Sequence, residues 1–203
     1  MCQGICCEVG KHGDEIKVWF GDPSESGIDL DSHTTIRKFH SLPEVVGSTW
    51  RRTPLEFYFH DTIESADKMK LHFDEGEPNW WDTDTERAVR NAVQIELDRR
   101  LKLPAFPGYP KFIGKCIIVP FVKVSGTLDA SAATSFSAPA LTKVSGTLDA
   151  SAATSFSAPA LTKVSGYLDA SAATSFSAPA LTKVSGTLDA RAATSFSAPA
   201  LTE

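Results

Sequence analysis

Residues 123–142 read KVSGTLDASAATSFSAPALT, and the same 20 residues return at 143–162, 163–182 and 183–202 with two letters changed. A fixed period of this length marks a solenoid, in which each repeat is one coil stacked on the last. Because the copies align to each other, they can be read without any other sequence. From Lys123 to Ala130 the residues alternate, with Val124, Gly126, Leu128 and Ala130 on one side and Lys123, Ser125, Thr127 and Asp129 on the other. That is the period of a strand with one buried face. The second half of the repeat adds Phe136 and Leu141 as large apolar residues, with Pro139 and small Ser and Ala suited to bends and a thin interior.

The two departures test this parity. Thr127, Thr147 and Thr187 correspond to Tyr167 in the third copy, and Ser131, Ser151 and Ser171 to Arg191 in the fourth. Both positions fall on the outward side, where Thr→Tyr and Ser→Arg neither overpack a core nor strand a charge. Helix is the competing reading, but a Gly and a Pro in every repeat cut any helical run below about 12 residues. Disorder is the other, and the fixed register of Val, Leu, Phe and Leu argues against it. The expected architecture is an α+β N-terminal capping domain, residues 1–122, followed by a β-solenoid (β-helix) of four 20-residue coils, residues 123–203.

Stacking the coils at the strand spacing of roughly 4.8 Å turns identical residues into ladders. Phe136, Phe156, Phe176 and Phe196 are expected to stack inside, with rows of Lys and Asp outside. The Asp row is read as a solvated face rather than a cation site. The fourth copy ends at Thr202 with Glu203 after it, and an open last coil offers unpaired backbone groups. Two chains are therefore expected to cover each other's open ends, giving a homodimer in which Lys183, Thr187, Asp189, Arg191 and Thr202 mark the self-association surface. With the preceding domain over the other end, a closed pair is favoured over a filament.

The first 122 residues hold all four Trp and all four Cys. They also carry the whole net charge of −5, since the positive and negative residues of 123–203 cancel. A neutral repeat tract offers neither a basic stripe for nucleic acid nor an acidic mimic of it. In the N-terminal part, Ile5–Val9 and Glu15–Phe20 flank a Gly-Asp hairpin turn, and Asp31 or Ser32 caps a short helix running to His40. Leu55–His60 and Met69–Phe73 read as two further strands joined by a turn around Ser65. Asp82-Thr83-Asp84 introduces a helix from Thr85 to Lys102, acidic early and basic late as the helix dipole favours. Phe112–Val122 is an apolar run leading into the first coil.

Lys17-Val18-Trp19-Phe20-Gly21-Asp22-Pro23, Ser32-His33 and Glu77-Pro78-Asn79-Trp80-Trp81-Asp82 resemble a group of phage and bacterial proteins. In that group a domain of this size precedes tandem solenoid repeats. The phrase Leu141–Leu148 also resembles the rungs of leucine-rich and receptor-L-type solenoids. The resemblance implies architecture and a phage or bacterial origin; it transfers no catalytic residue.

Reactive residues point to little chemistry. Cys2, Cys6 and Cys7 lie close together without the spacing of a zinc or iron–sulfur site, and read as ordinary strand cysteines. With no signal peptide and no long apolar segment, the chain is expected to be cytoplasmic, off the membrane, with reduced thiols. His60 and His72 fall on the polar parity of neighbouring expected strands, and with Asp61 or Asp74 they could form a two-His, one-carboxylate metal site. Paired surface histidines are the plainer expectation, and no metal or other cofactor is assigned. Trp80 and Trp81 could stack a ligand or staple the helix that follows. No phosphate loop, Gly-x-Ser-x-Gly elbow or His-Glu-x-x-His is present, so the expectation is a non-enzymatic structural or interaction protein. Its rivals are an inhibitor or sequestering protein that binds a host protein or small ligand through the N-terminal domain, and a protein that binds ice or a crystal surface through its Ser and Thr ladders.

Overall fold

In a computed structural model the described residues are 4–21, 36–37, 40, 42, 50–63 and 65–202. They form two compact units: one from the N-terminal part through residue 58 and again over 65–102, the other from 59–64 and 103–203.

The first unit is a four-stranded antiparallel sheet in the order β2-β1-β3-β4, built from β1 (Ile5–His12), β2 (Glu15–Phe20), β3 (Arg51–Tyr58) and β4 (Lys70–Phe73). His12 pairs with Glu15, so Gly13-Asp14 alone makes the turn, and Gly13 takes the left-handed φ of +59° that such a tight hairpin demands. A short 3-10 turn, Ala66–Lys68, precedes β4. Helix α1 spans Thr83–Leu101 and begins at the expected acidic turn. Asp82 caps it, its Oδ1 accepting from the Thr85 N–H at 2.7 Å and the Thr85 hydroxyl at 2.6 Å. Lys11 Nζ reaches both Asp82 (2.5 Å) and Thr85 (3.1 Å), and the Arg90 guanidinium lies 5.7 Å above the Phe57 ring. Register places Lys11 and Phe57 on one face of the sheet, which is therefore the face under α1. Ile95 of this helix points outward and is 72% exposed. The inner face buries Val89, Val93 and Leu97 together with Glu96 and Arg100, a pair with Arg100 Nε 2.7 Å from Glu96 Oε1. The proposed cap at Asp31 or Ser32 lies outside the described residues; Ile36 and Arg37 are helical, and the His40 N–H donates to the Ile36 carbonyl.

The second unit is the solenoid. Each coil contributes three short strands, in the first coil Lys123–Val124, Leu128–Asp129 and Ser135–Ser137. Stacked in exact register, they make three parallel sheets: Lys-Val, Leu-Asp and Ser-Phe-Ser. The inward parity holds: Val124, Leu128, Ala130, Ala133, Phe136, Ala138 and Leu141 are all buried, as are their equivalents in the next two coils. Tyr167 and Arg191 point outward. The stretch 123–130 differs from expectation in being two strands rather than one, with a bend at Ser125-Gly126. Glycine is required there because the coils touch through their backbones. A Cβ on Gly146 would lie 2.8 Å from the Gly126 carbonyl carbon and oxygen, closer than such atoms pack.

The polar letters of the repeat also have structural work. Asp129 Oδ1 accepts from the Ser131 N–H at 3.0 Å, a side-chain-closed turn repeated at Asp149 and Asp169, which turns the chain after each Leu-Asp strand. Thr154 donates both its N–H (2.9 Å) and its hydroxyl (3.1 Å) to the Thr134 carbonyl, and Thr162 does the same to Thr142. These two threonine columns tie each coil to the one before it.

The coil architecture begins ahead of the first exact repeat. Phe106 bridges to Val124 and Lys111 to Asp129, and Cys116–Ile118 extends the Ser-Phe-Ser sheet. Val122 accepts from the Thr142 N–H and hydroxyl just as Thr142 accepts from Thr162. Residues 103–122 are thus a divergent coil. Phe59–Asp61 covers its outer edge: Phe59 bridges to Phe112, and the Phe59 ring contacts Phe106, Phe112 and Phe121 at 5.2 to 6.3 Å between centroids.

Candidate functional site

The two histidines fall into different surroundings. β3 stops at Tyr58, so His60 is not on a strand beside His72 but in the segment that joins the solenoid unit. His60 Nδ1 sits 3.0 Å from its neighbour Asp61, while His72 Nε2 is 3.7 Å from Asp74. Among the described residues no group of three His, Cys, Asp or Glu is placed to hold a metal ion. Asp61 has a different task. Its Oδ1 accepts from the Cys116 N–H at 3.2 Å and its carbonyl from the Ile118 N–H at 2.9 Å, so it continues along the edge of the divergent coil the pairing that Phe59 and His60 begin. Gly114 makes the approach possible, since a Cβ there would stand 1.9 Å from Asp61 Oδ1.

The sheet face opposite α1 carries a polar cluster that sequence parity alone did not reveal. Cys6, Glu8 and Gly10 of β1 lie on it with Glu56 and Tyr58 of β3 and His72 of β4. Glu8 is fully buried, with Arg37 Nε 2.8 Å from its Oε1. Tyr58 donates to Glu56 Oε2 at 2.5 Å, and the His72 ring stacks on Tyr58 at 5.6 Å. Burial first, then the Glu56 hydrogen bond, holds the Tyr58 phenol protonated well above the usual tyrosine range. Tyr58 is thus a donor that fixes the Glu56 carboxylate. Cys6 is buried, 3.9 Å from Glu56, and Ile36 packs beside it. Cys7 is buried as well, whereas Cys116 is exposed.

The tryptophans pack by pairs. Trp81 meets Phe73 edge-on at 5.0 Å and Trp80 at 6.0 Å, the stapling role. Trp19 and Trp50 meet edge-on at 5.9 Å above Gly10, where a Cβ would come within 2.7 Å of Trp19.

The surface that stands apart is the fourth coil. Phe136, Phe156 and Phe176 are each 1% exposed, whereas Phe196 is 51% exposed although its repeat is the same. Leu188, Ala190, Ala193 and Leu201 are likewise only half-covered, where their equivalents are buried. Of the surface residues expected from sequence, Thr187, Arg191 and Thr202 are exposed and Lys183 and Asp189 half-exposed. Arg191 Nε lies 3.0 Å from both carboxylate oxygens of Asp189, and this bond holds the Asp189 carboxyl below its usual range. The inward residues Leu188 and Phe196 are the larger feature, since they are less covered than the equivalent residues of the three preceding coils.

No helix of the described residues is long and apolar enough to cross a membrane. No family model matches the chain, and no curated protein or solved structure matches it.

Proposed function

We propose that the chain is a non-enzymatic structural and interaction protein whose solenoid pairs with a second copy through the fourth coil. The observation that carries this reading is the half-exposed Phe196, set among Leu188, Ala190, Ala193 and Leu201, which are only half-covered. In the buried coils, the N–H groups of Leu168, Ala170 and Ala178 donate to Thr187, Asp189 and Ser197 of the next coil. Among the described residues no acceptor is placed for the equivalent groups of Leu188, Ala190 and Ala198, so the surface combines apolar area with open hydrogen-bonding capacity. The opposite end of the solenoid is covered by residues 103–122 and the 59–61 segment, which supports a closed pair over an open chain of copies.

Light scattering over a concentration series tests the proposal. The expected mass is twice 21.8 kDa, falling toward the monomer on dilution. Leu188→Lys, which puts a charge into the contact, is expected to give a monomer whose circular dichroism matches the parent. A parent chain that stays monomeric at every concentration refutes the reading, whatever the variant does.

A further inference from the structure

Residues 59–61 stand where a further coil would stand ahead of the divergent one. Each coil donates to the next at a fixed point: the Ala130 N–H to the Asp149 carbonyl at 2.7 Å, Ala150 to Asp169 and Ala170 to Asp189, both at 2.8 Å. In the divergent coil Phe112 takes the alanine's place and donates to the Asp129 carbonyl at 2.8 Å. Lys111 bridges to Asp129 and so heads the aspartate column. The Phe59 N–H donates to the Lys111 carbonyl at 2.9 Å, which repeats the same bond one level earlier. The carbonyls of Phe59, His60 and Asp61 accept in turn from the N–H groups of Ile113, Gly114 and Ile118 at 2.9, 3.2 and 2.9 Å. Three residues thus take up the outer edge of the solenoid, and the fully buried Phe59 ring closes the core there.

Resting on the adhesive fourth coil proposed above, we infer that residues 59–61 are a built-in terminator, holding the backbone groups that the fourth coil of a second copy would otherwise take. Ala190 is the last member of the alanine column, and among the described residues no acceptor is placed for its N–H. The register of the repeat assigns it the carbonyl at the head of the aspartate column, that of Lys111 in a second copy. In the same register Phe196 comes to rest on Ile117, which pairs with Phe136 and so stands in the phenylalanine column. This contact needs no docking geometry of its own, since every adjacent pair of coils already makes it. A joint of this kind runs head to tail, leaves a free end on each partner and grows into a filament. With Phe59 seated on Lys111 the joint is blocked, and fourth coils can meet only one another. The segment is therefore both the cap of the solenoid edge and an autoinhibitory contact that limits assembly.

Gly114→Val tests this, because a Cβ at 114 would stand 1.9 Å from Asp61 Oδ1 and 2.9 Å from Asp61 Cα, so the segment must leave. Light scattering over a concentration series, with circular dichroism to report folding, is read for the full-length parent, Gly114→Val, Asp61→Ala and Gly114→Val combined with Leu188→Lys. Folded Gly114→Val is expected to form species whose average mass climbs with concentration to several-fold that of the parent. Adding Leu188→Lys is expected to abolish the growth, because the joint needs the fourth coil. Parent-sized species from folded Gly114→Val overturn the inference, and so does growth that survives Leu188→Lys. If Gly114→Val loses its folded spectrum, Asp61→Ala decides. It removes one bond of the segment and leaves the coil contacts intact, so its mass should rise above the parent's at the highest concentrations, and a parent-like mass overturns the inference. A monomeric parent refutes the pairing of fourth coils. If its uncapped variant still grows, the terminator role stands; if not, both fall.

Discussion

The same residue in the same 20-letter context should have two different costs of removal. Phe156 is stacked between Phe136 at 5.0 Å and Phe176 at 4.8 Å with nearly parallel rings, and is 1% exposed. Phe196 has one ring neighbour, Phe176 at 4.9 Å, and is 51% exposed. Phe156→Ala loses a fully buried side chain and leaves a cavity closed above and below by rigid coils, so its cost belongs to the range of about 3–5 kcal/mol. Phe196→Ala loses roughly half the buried area that Phe156→Ala does and one stacking contact rather than two, and opens no closed cavity, so about 1–2 kcal/mol is expected. Local propensity, turn chemistry and unfolded-state effects cancel between the two variants because the flanking sequences match. Denaturant titration followed by circular dichroism, below the concentration at which copies associate, reads the difference. Equal costs would refute the claim that stacking position, rather than repeat sequence, sets the stability of each coil. Raising the protein concentration should then increase the cost of Phe196→Ala alone, as pairing covers that ring.

Three further outcomes follow from contacts already described. Gly146→Ala should destabilise by several times the roughly 1 kcal/mol expected from Gly13→Ala, because the first meets backbone atoms of the preceding coil and the second meets only a left-handed φ in open space; thermal melts of both variants check the order. Asp61→Ala should cost about 0.5–1.5 kcal/mol by removing the bond to the Cys116 N–H, which water can partly replace, and Asp61→Asn much less, since its amide oxygen can still accept; added divalent metal should alter neither, whereas a metal-dependent gain in the parent would restore a ligand role. Lys11 and then Thr85 hold the Asp82 carboxyl below its ordinary value. Its stabilising effect on α1 is therefore complete above the usual carboxylate range and lost as pH falls through the depressed value. Asp82→Ala should lower the stability of the first unit at neutral pH, with the gap to the parent closing in strong acid; a gap constant with pH would contradict the capping account.

The fold and the candidate site were legible to different depths. Four near-identical copies align themselves, so the inward set of Val, Leu, Ala and Phe could be read directly, and the outward substitutions at Tyr167 and Arg191 checked it. The Gly-Asp hairpin and the Asp-capped helix were legible for a similar reason, since their signals act within a few residues. What the linear sequence determined, then, was whatever depends on near neighbours or on exact repetition. The bend at Gly126 is different: it is fixed by the backbone of the preceding coil, at Gly108, which is distant in sequence. The divergent coil at 103–122 escaped notice because Phe, Ile and Pro replace the repeat's letters and its register slips against the period, leaving only backbone pairing to reveal it. His60 looked like a strand partner of His72 until the chain left β3 at Tyr58 to join the other unit. Glu8 and Glu56 are charged residues on strands, yet both are buried, because a sheet face becomes interior only when something else in three dimensions covers it. The fourth coil joins the two levels: its sequence is that of its neighbours, and only its place in the stack leaves Phe196 half in water.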